Sequence, residues 1–195
     1  MGITIHYRGT LKSASSLPAM IDEVKDIAAI HEWDYDIFKT QFPPGMFGKR
    51  SFNDGVYGIC FTPPYVETID LTFLSNGRLA SRWEIDYYFR NKHKGAPIPQ
   101  GAFSKTHYGG PEMHQLIIHL LDHVSKKYFK RFRLTDEAKY WETRDEKLLD
   151  ENFKVLNDWM SRLGVSLETQ PLVKGETISQ YFERILKEIH ASRNK

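Results

Sequence analysis

The sequence of 195 residues contains a single cysteine, Cys60. One cysteine excludes an intrachain disulfide and a cysteine-based zinc cage within one chain, and it is typical of a protein from a reducing compartment. Long hydrophobic runs are also missing, since no stretch approaches the ~18 consecutive apolar residues of a membrane helix. Residues 1–10 alternate in polarity and lack the apolar core of a signal peptide. We therefore predict a cytoplasmic location and no membrane partner.

The sequence motifs of several large enzyme classes are absent. There is no P-loop, no GxGxxG after a strand, no HExxH, no GxSxG and no EF-hand loop. Nucleotide-dependent catalysis and serine hydrolysis are therefore disfavoured, and no cofactor is indicated. Cys60 lies between Ile59 and Phe61 in an apolar segment, where a thiol usually packs and does not react. We expect Cys60 to be an inert core residue.

An excess of one charge sign is nearly absent, since the net charge is only +2, but the charges are unevenly distributed along the chain. Residues 78–133 carry 11 Lys and Arg against 4 Asp and Glu, whereas the segments on both sides are net acidic. A basic segment of this kind either forms a surface for phosphate, nucleic acid or an acidic partner, or is balanced by its acidic neighbours. We expect the acidic neighbours to balance the basic segment, and hence no nucleic-acid binding.

Hydrophobic periodicity predicts the element order β-α-β-β-β-α-β-α-α, with a further strand possible at residues 34–42. Strands are expected over residues 3–8, 56–62, 66–74, 79–90 and 130–134, and helices over 16–33, 111–129, 143–164 and from 177 onward. Thr143 with Glu146, and Thr177 with Gln180, have the spacing of N-terminal capping boxes. We also expect the last helix to dock on the helix before it.

This order favours an α+β fold with a mainly antiparallel sheet covered by helices. One concrete version is a ferredoxin-like core with two extra C-terminal helices. The length predicts a single domain over residues 1–195, with the helical part 143–195 packed on it. Residues 91–111 contain four glycines and three prolines and are predicted to be a long loop, either functional or mobile.

Two segments carry the candidate functional residues. In residues 104–114, Gly109 and Gly110 precede a helix whose exposed backbone N–H groups, together with Lys105, favour an anion; alternatively the glycines only turn the chain. In residues 135–143, Asp136 and Glu137 stand next to a Tyr-Trp pair. These carboxylates could hold a hard cation or act as acid and base, or the segment could be a small packing cluster at the core edge.

Histidine is frequent, with eight residues, and two of them have the spacing of a metal-binding pair. His119 and His123 lie four residues apart on one predicted helix, so both could face one ion. His119 points away from the apolar stripe of that helix, and no third ligand is specified. We therefore predict structural roles for both and no metal site.

Three short patches resemble a bacterial protein family for which no activity is established. They are IHYRG at residues 5–9, KTHY at residues 105–108 and DEAKYWET at residues 136–143. The resemblance implies only that the three patches belong together in the folded protein.

The leading hypothesis is a non-enzymatic module that binds a small ligand or a protein partner in a polar cleft. The candidate site residues are His6, Arg8, Lys105, Tyr108, His114, Asp136, Glu137, Tyr140 and Trp141. The alternative is a metal-assisted or acid/base hydrolase for a phosphorylated or nucleic-acid substrate, with Asp136, Glu137 and His114 as ligands or base and with Lys105 or Arg8 on the anion. A third option is a subunit that forms an oligomer through its C-terminal helices.

Overall fold

The computed structural model of the protein describes residues 2–193, which form two compact units, one ending at Leu149 and one beginning at Asp150. The prediction of one domain over the whole chain stays a prediction. The strands are β1 Thr4–Leu11, β2 Asp34–Ile37, β3 Tyr57–Thr62, β4 Ile69–Phe73, β5 Ala102–Lys105 and β6 Phe129–Asp136. The helices are α1 Ser16–Ile30, α2 Arg82–Asn91, α3 Gly110–Tyr128, α4 Tyr140–Thr143, α5 Glu146–Thr169 and α6 Ile178–Arg193.

The strands form two antiparallel sheets of three strands each, in the orders β5-β1-β6 and β2-β3-β4. The α+β class predicted from the sequence is confirmed. The ferredoxin-like version is wrong, because the strands expected to share one sheet are divided between two. Consecutive strands β2, β3 and β4 pair with one another, whereas β1 takes partners from far along the chain.

The core of the first unit contains the inward face of β1 together with β3, β4 and the apolar sides of α1 and α3. Ile5, Tyr7 and Leu11 are almost completely buried along β1. The hydroxyl of Tyr7 donates to the backbone oxygen of Asp70 at 3.0 Å and accepts from the backbone N–H of Asp70 at 2.9 Å, which joins the two sheets. The opposite face of β1 remains available to solvent because side chains alternate along a strand.

The segment predicted as a third strand of a meander, residues 79–90, is instead mostly helix α2. Ser81 is its N-cap and accepts from the backbone N–H of Trp83, and Asp86 pairs with Arg90 one turn later at 2.9 Å. Ser81 and Glu84 have the capping-box spacing, a helix signal that competes with the alternation of apolar residues. Local capping therefore prevails over the period-2 pattern here.

The expected long loop at residues 91–111 contains strand β5, which pairs with β1. Gly101 leads into this strand with a φ of +101°, and a Cβ there would lie 2.5 Å from the backbone oxygen of Tyr7. Only glycine tolerates both the left-handed backbone and this close approach. The loop prediction is therefore wrong for Ala102–Lys105, which form an edge of the sheet.

The helix starts and ends near the C-terminus differ in part from the expectations. Asp145, and not Thr143, caps α5, since its carboxylate accepts from the backbone N–H groups of Lys147 and Leu148. The helix passes through Gly164, which is tolerated at a cost of about 1 kcal/mol relative to alanine. Thr177 and Gln180 form the predicted capping box of α6.

In the second unit, the residues of α5 from Asp150 onward are followed by α6. The hydroxyl of Tyr181 donates to the backbone oxygen of Leu167 at 3.4 Å, so the two helices contact each other. Ile185 and Ile189 are buried, whereas Ile178 and Phe182 are exposed. Across residues 2–193, no helix combines the length and apolarity needed to cross a membrane.

Candidate functional site

The outward face of the sheet β5-β1-β6, here called the open face, carries side chains in successive cross-strand rows. In one row, His6 of β1 lies opposite Phe103 of β5 and Thr135 of β6. The next row pairs Arg8 with Arg133. Because side chains two residues apart point to the same side of a strand, these rows lie about 6.5–7 Å apart along β1.

Four arginines converge at one end of the open face. Arg8 lies directly opposite Arg133, Arg131 lies opposite Thr10 on β6, and Arg78 lies opposite Thr10 on its other side through an isolated bridge. They line a groove of about 470 Å³, here called the arginine groove, whose wall also includes Gly101. Four arginines thus border one concave surface.

Counter-charges are missing from the arginine groove. Within residues 2–193, none of these four guanidinium groups forms an ion pair or a hydrogen bond, and no aspartate or glutamate lines the groove. Like charges directly opposite each other on neighbouring strands are destabilising. The premise that acidic neighbours neutralise the basic segment therefore does not hold at Arg78, Arg131 and Arg133, which all come from it.

An aromatic surface adjoins the arginine groove. Phe103 is 52% exposed, and its ring centroid lies 6.0 Å from that of His6. Both line a second cavity of about 340 Å³ that shares Arg8 and Arg133 with the groove. Glu84 of α2 lines this cavity together with Arg8 and Arg133, but it does not line the arginine groove.

His114 and Asp136, both predicted as site residues, lie in the core with no exposed surface. His114 Nε2 donates to Asp136 Oδ2 at 3.0 Å, and His114 Nδ1 lies 2.7 Å from the hydroxyl of Thr106. Burial alone would raise the pKa of Asp136. The hydrogen bond and charge of His114, with backbone N–H groups of Trp141 and Ala138, lower that pKa below its ordinary value. This network joins β6 to α3 and has no access to a substrate.

The other predicted residues on or near the open face are held by local partners. Glu137 accepts from the backbone N–H of Thr4 at 2.9 Å, and its carboxylate lies 3.8 Å from His6 Nε2. Lys105 pairs with Glu67 at 3.6 Å. Lys105 and Tyr108 line a separate cavity of about 540 Å³, away from Asp136 and Glu137. The predicted residues therefore do not meet in one cleft.

Tyr140 and Trp141 form a packing cluster beside α3. Tyr140 is 3% exposed, and its hydroxyl contacts the side chains of Gln115 at 2.6 Å and His119 at 3.0 Å. Trp141 is partly buried and packs edge-on against Phe132, with centroids 6.1 Å apart. The guanidinium of Arg144 stacks over both rings. The geometry fits the core-edge interpretation of this segment.

His119, His123 and Cys60 have structural surroundings. His119 contacts Tyr140 and His123 pairs with Glu23 at 2.7 Å, so the two do not converge on one point. In the described part of the chain, no group of three or more His, Cys, Asp or Glu side chains is arranged to hold a metal ion. Cys60 is buried as predicted, and burial raises the pKa of its thiol to about 11 in spite of Arg82.

Sequence reasoning missed Arg78, Arg131, Arg133 and Phe103. A signal existed for two of them, because Arg131, Arg133 and Thr135 alternate with Phe132 and Leu134 as expected on one face of a strand. No signal in the sequence places Arg78 beside Thr10, since that bridge depends on the tertiary fold. Phe103 was hidden in the predicted loop.

Comparisons of the chain with protein-family models, with curated proteins and with solved structures find no match. The geometry of the chain itself is therefore the basis for inferring its function.

Proposed function

We propose that the protein is a non-enzymatic binding module whose arginine groove binds an anionic, phosphate-bearing ligand. One observation carries the proposal: Arg8, Arg78, Arg131 and Arg133 border one groove and have no acidic partner among the described residues. The proposal keeps the cytoplasmic location predicted from the sequence, where phosphorylated ligands are abundant.

Guanidinium chemistry supports a phosphate in preference to other anions. The planar guanidinium group presents several N–H donors in a fork that matches phosphate oxygens, and such charge-assisted hydrogen bonds are stronger than neutral ones. A bound anion would also remove the repulsion between Arg8 and Arg133, which face each other across two strands. Binding and relief of repulsion thus act in the same direction.

The geometry gives the hydrolase alternative little support. Its proposed base, His114, and one of its proposed carboxylates, Asp136, have no exposed surface. Glu137 is half exposed but stands at the opposite end of the open face from Arg131 and Arg78. Acid/base catalysis requires groups within hydrogen-bonding reach of the substrate. Among the described residues, no histidine, aspartate or glutamate lines the arginine groove.

The proposal is tested by calorimetric titration with inorganic tripolyphosphate at low ionic strength. We expect the native protein to bind and the variant Arg131→Gln/Arg133→Gln to bind at least about tenfold more weakly, since a hydrogen bond to a charged group contributes about 1.5–3 kcal/mol. The control Lys154→Gln/Arg162→Gln removes the same charge from exposed positions of α5 and should bind as the native protein does.

Circular dichroism of each variant establishes that it is folded. Absence of binding by the native protein, or equal affinity in the arginine variant and its control, would contradict the proposal.

A further inference from the structure

The open face combines two kinds of surface that a simple anion site does not need together. We infer that its ligand is a single-stranded nucleic acid, with phosphates over the arginine groove and a base stacked on Phe103; this inference rests on the proposed function. The arginines alone would serve any phosphate. The exposed ring of Phe103, in the next row of the sheet, favours a phosphate-bearing ligand that also carries a base able to stack.

Phe103 is placed as a stacking platform. It lies opposite His6 on the outward side of an edge strand, is 52% exposed, and lines a cavity that continues into the arginine groove through Arg8 and Arg133. Single-strand-binding surfaces combine a basic track for the backbone with aromatic side chains on which bases stack. In a duplex the bases are stacked inside the helix, so this ring would have no base to contact.

A second apolar surface extends the path beyond Phe103. A cavity of about 480 Å³ lies beside α2, and its walls include the exposed rings of Trp83 (69%) and Tyr87 (57%). It shares Glu84 and Gln100 with the cavity at Phe103. Gln100 also lines the arginine groove, so the three surfaces adjoin one another.

Charge sets the orientation of the strand on this path. Glu84 is the one charged residue lining the Trp83–Tyr87 cavity, it stands with Arg8 and Arg133 in the cavity at Phe103, and it does not line the arginine groove, so the lining becomes more positive towards the groove. Phosphates are attracted to the groove, where all four arginines come together. The sugar-phosphate backbone thus runs over the groove, and the bases point towards Phe103 and Trp83.

The inference is tested by fluorescence anisotropy with labelled oligouridine and oligothymidine of about 12 nucleotides, a size within the range of single-strand sites. A duplex of the same length, a phosphorylated peptide and tripolyphosphate serve as competing probes. We expect a single strand to bind more tightly than the duplex, and the two labelled strands to show whether the 2′-hydroxyl contributes. With four phosphate contacts, log affinity should fall with log salt at a slope of about −3.

Two variants separate the inference from the proposed function. Phe103→Ala should weaken oligonucleotide binding at least about fivefold, the lower end for one stacked base, and leave tripolyphosphate binding unchanged. Arg131→Gln/Arg133→Gln should weaken both and reduce the salt slope by about 1.4. Tyr65→Ala, a matched control at a ring that is 82% exposed and outside the groove, should change neither.

Each contrary result has a distinct meaning. If tripolyphosphate binds but single strands do not, or if Phe103→Ala has no effect, the inference is overturned and the proposed function stands. Tighter binding of the duplex or of the phosphorylated peptide likewise overturns it. If no probe binds, the proposed function fails as well.

Discussion

His114 Nε2 lies 3.0 Å from Asp136 Oδ2, and neither side chain has any exposed surface. Because a carboxylate only accepts hydrogen bonds, the imidazole donates here. Backbone N–H groups of Ala138 and Trp141 supply further donors to the same carboxylate. A residue first considered as a catalytic acid or metal ligand is therefore a structural centre that fixes the turn after β6.

This arrangement predicts a large loss of stability in Asp136→Asn. The carboxylate accepts from His114, Ala138 and Trp141, and each buried donor that loses its acceptor costs about 1–3 kcal/mol. The neighbouring Glu137→Gln is a matched control, since that side chain is half exposed and should cost less than about 1 kcal/mol. Urea unfolding at neutral pH measures both. Equal effects of the two substitutions would contradict a structural role for Asp136.

The acid dependence of stability follows from the same carboxylate. The pKa of Asp136 is lowered in the folded protein, so its ionised form stabilises the fold above the ordinary carboxyl pKa of about 4. This contribution is lost as the pH falls through the lower folded pKa. We expect the free energy of unfolding of the native protein to decrease below about pH 4, and Asp136→Asn to have a flatter profile there. An identical slope in both proteins would argue against it.

Arg133→Glu should raise stability and abolish anion binding. The substitution places a carboxylate directly opposite Arg8 and replaces a repulsive pair with an attractive one, which contributes about 0.2–1 kcal/mol. Thermal unfolding and tripolyphosphate titration of the same sample measure the two effects. Arg90→Glu on α2, which removes a charge already paired with Asp86, is the control and should lower stability slightly without affecting binding. A destabilised Arg133→Glu protein would show that the groove is not under repulsion.

Cys60 should react with a thiol reagent only after unfolding. Its pKa, raised to about 11 by burial, keeps the thiol protonated at pH 8, and the thiolate is the reactive form. Disulfide exchange with a chromogenic reagent should be slow in the native protein and complete in guanidinium. Rapid stoichiometric labelling of folded protein would be inconsistent with this environment.

The last helix should contribute to stability through its buried positions. Removing residues 176–195 deletes the buried Ile185 and Ile189, each worth about 1.5–3 kcal/mol, and should lower the melting temperature. The control Ile178→Ser/Phe182→Ser changes exposed side chains of the same helix and should leave the melting temperature nearly unchanged. An unaltered melting temperature after truncation would show that the helix does not stabilise the protein.

The sequence predicts the elements of this fold better than their pairing. Ile5 and Tyr7 alternate with His6 and Arg8, and the structure confirms that the first pair is buried and the second exposed. The partners of β1 lie far along the chain, and periodicity carries no information on such pairing. Residues 79–90 show the other limit, because the alternation of apolar residues predicts a strand there, whereas the cap at Ser81 favours the helix that forms.

The candidate site was predictable only in part for the same reason. Arg8 was identified, but the residues that surround it come from three other segments, and Asp136, which was expected in one polar cleft with Glu137, points into the core. Adjacent residues on a strand face opposite sides, so Asp136 and Glu137 could not both face one cleft. The alternation of side chains along residues 129–137 places the two on opposite faces.

The unpaired facing arginines also determine how the protein responds to its ionic surroundings. Ion pairs such as Lys127 with Glu23 weaken when salt screens their attraction, whereas dissolved ions relieve the repulsion between Arg8 and Arg133. These two parts of the first unit should therefore respond to ionic strength with opposite sign. Moderate amounts of a multivalent anion would tighten the sheet around β1 while the contact between α1 and α3 loosens.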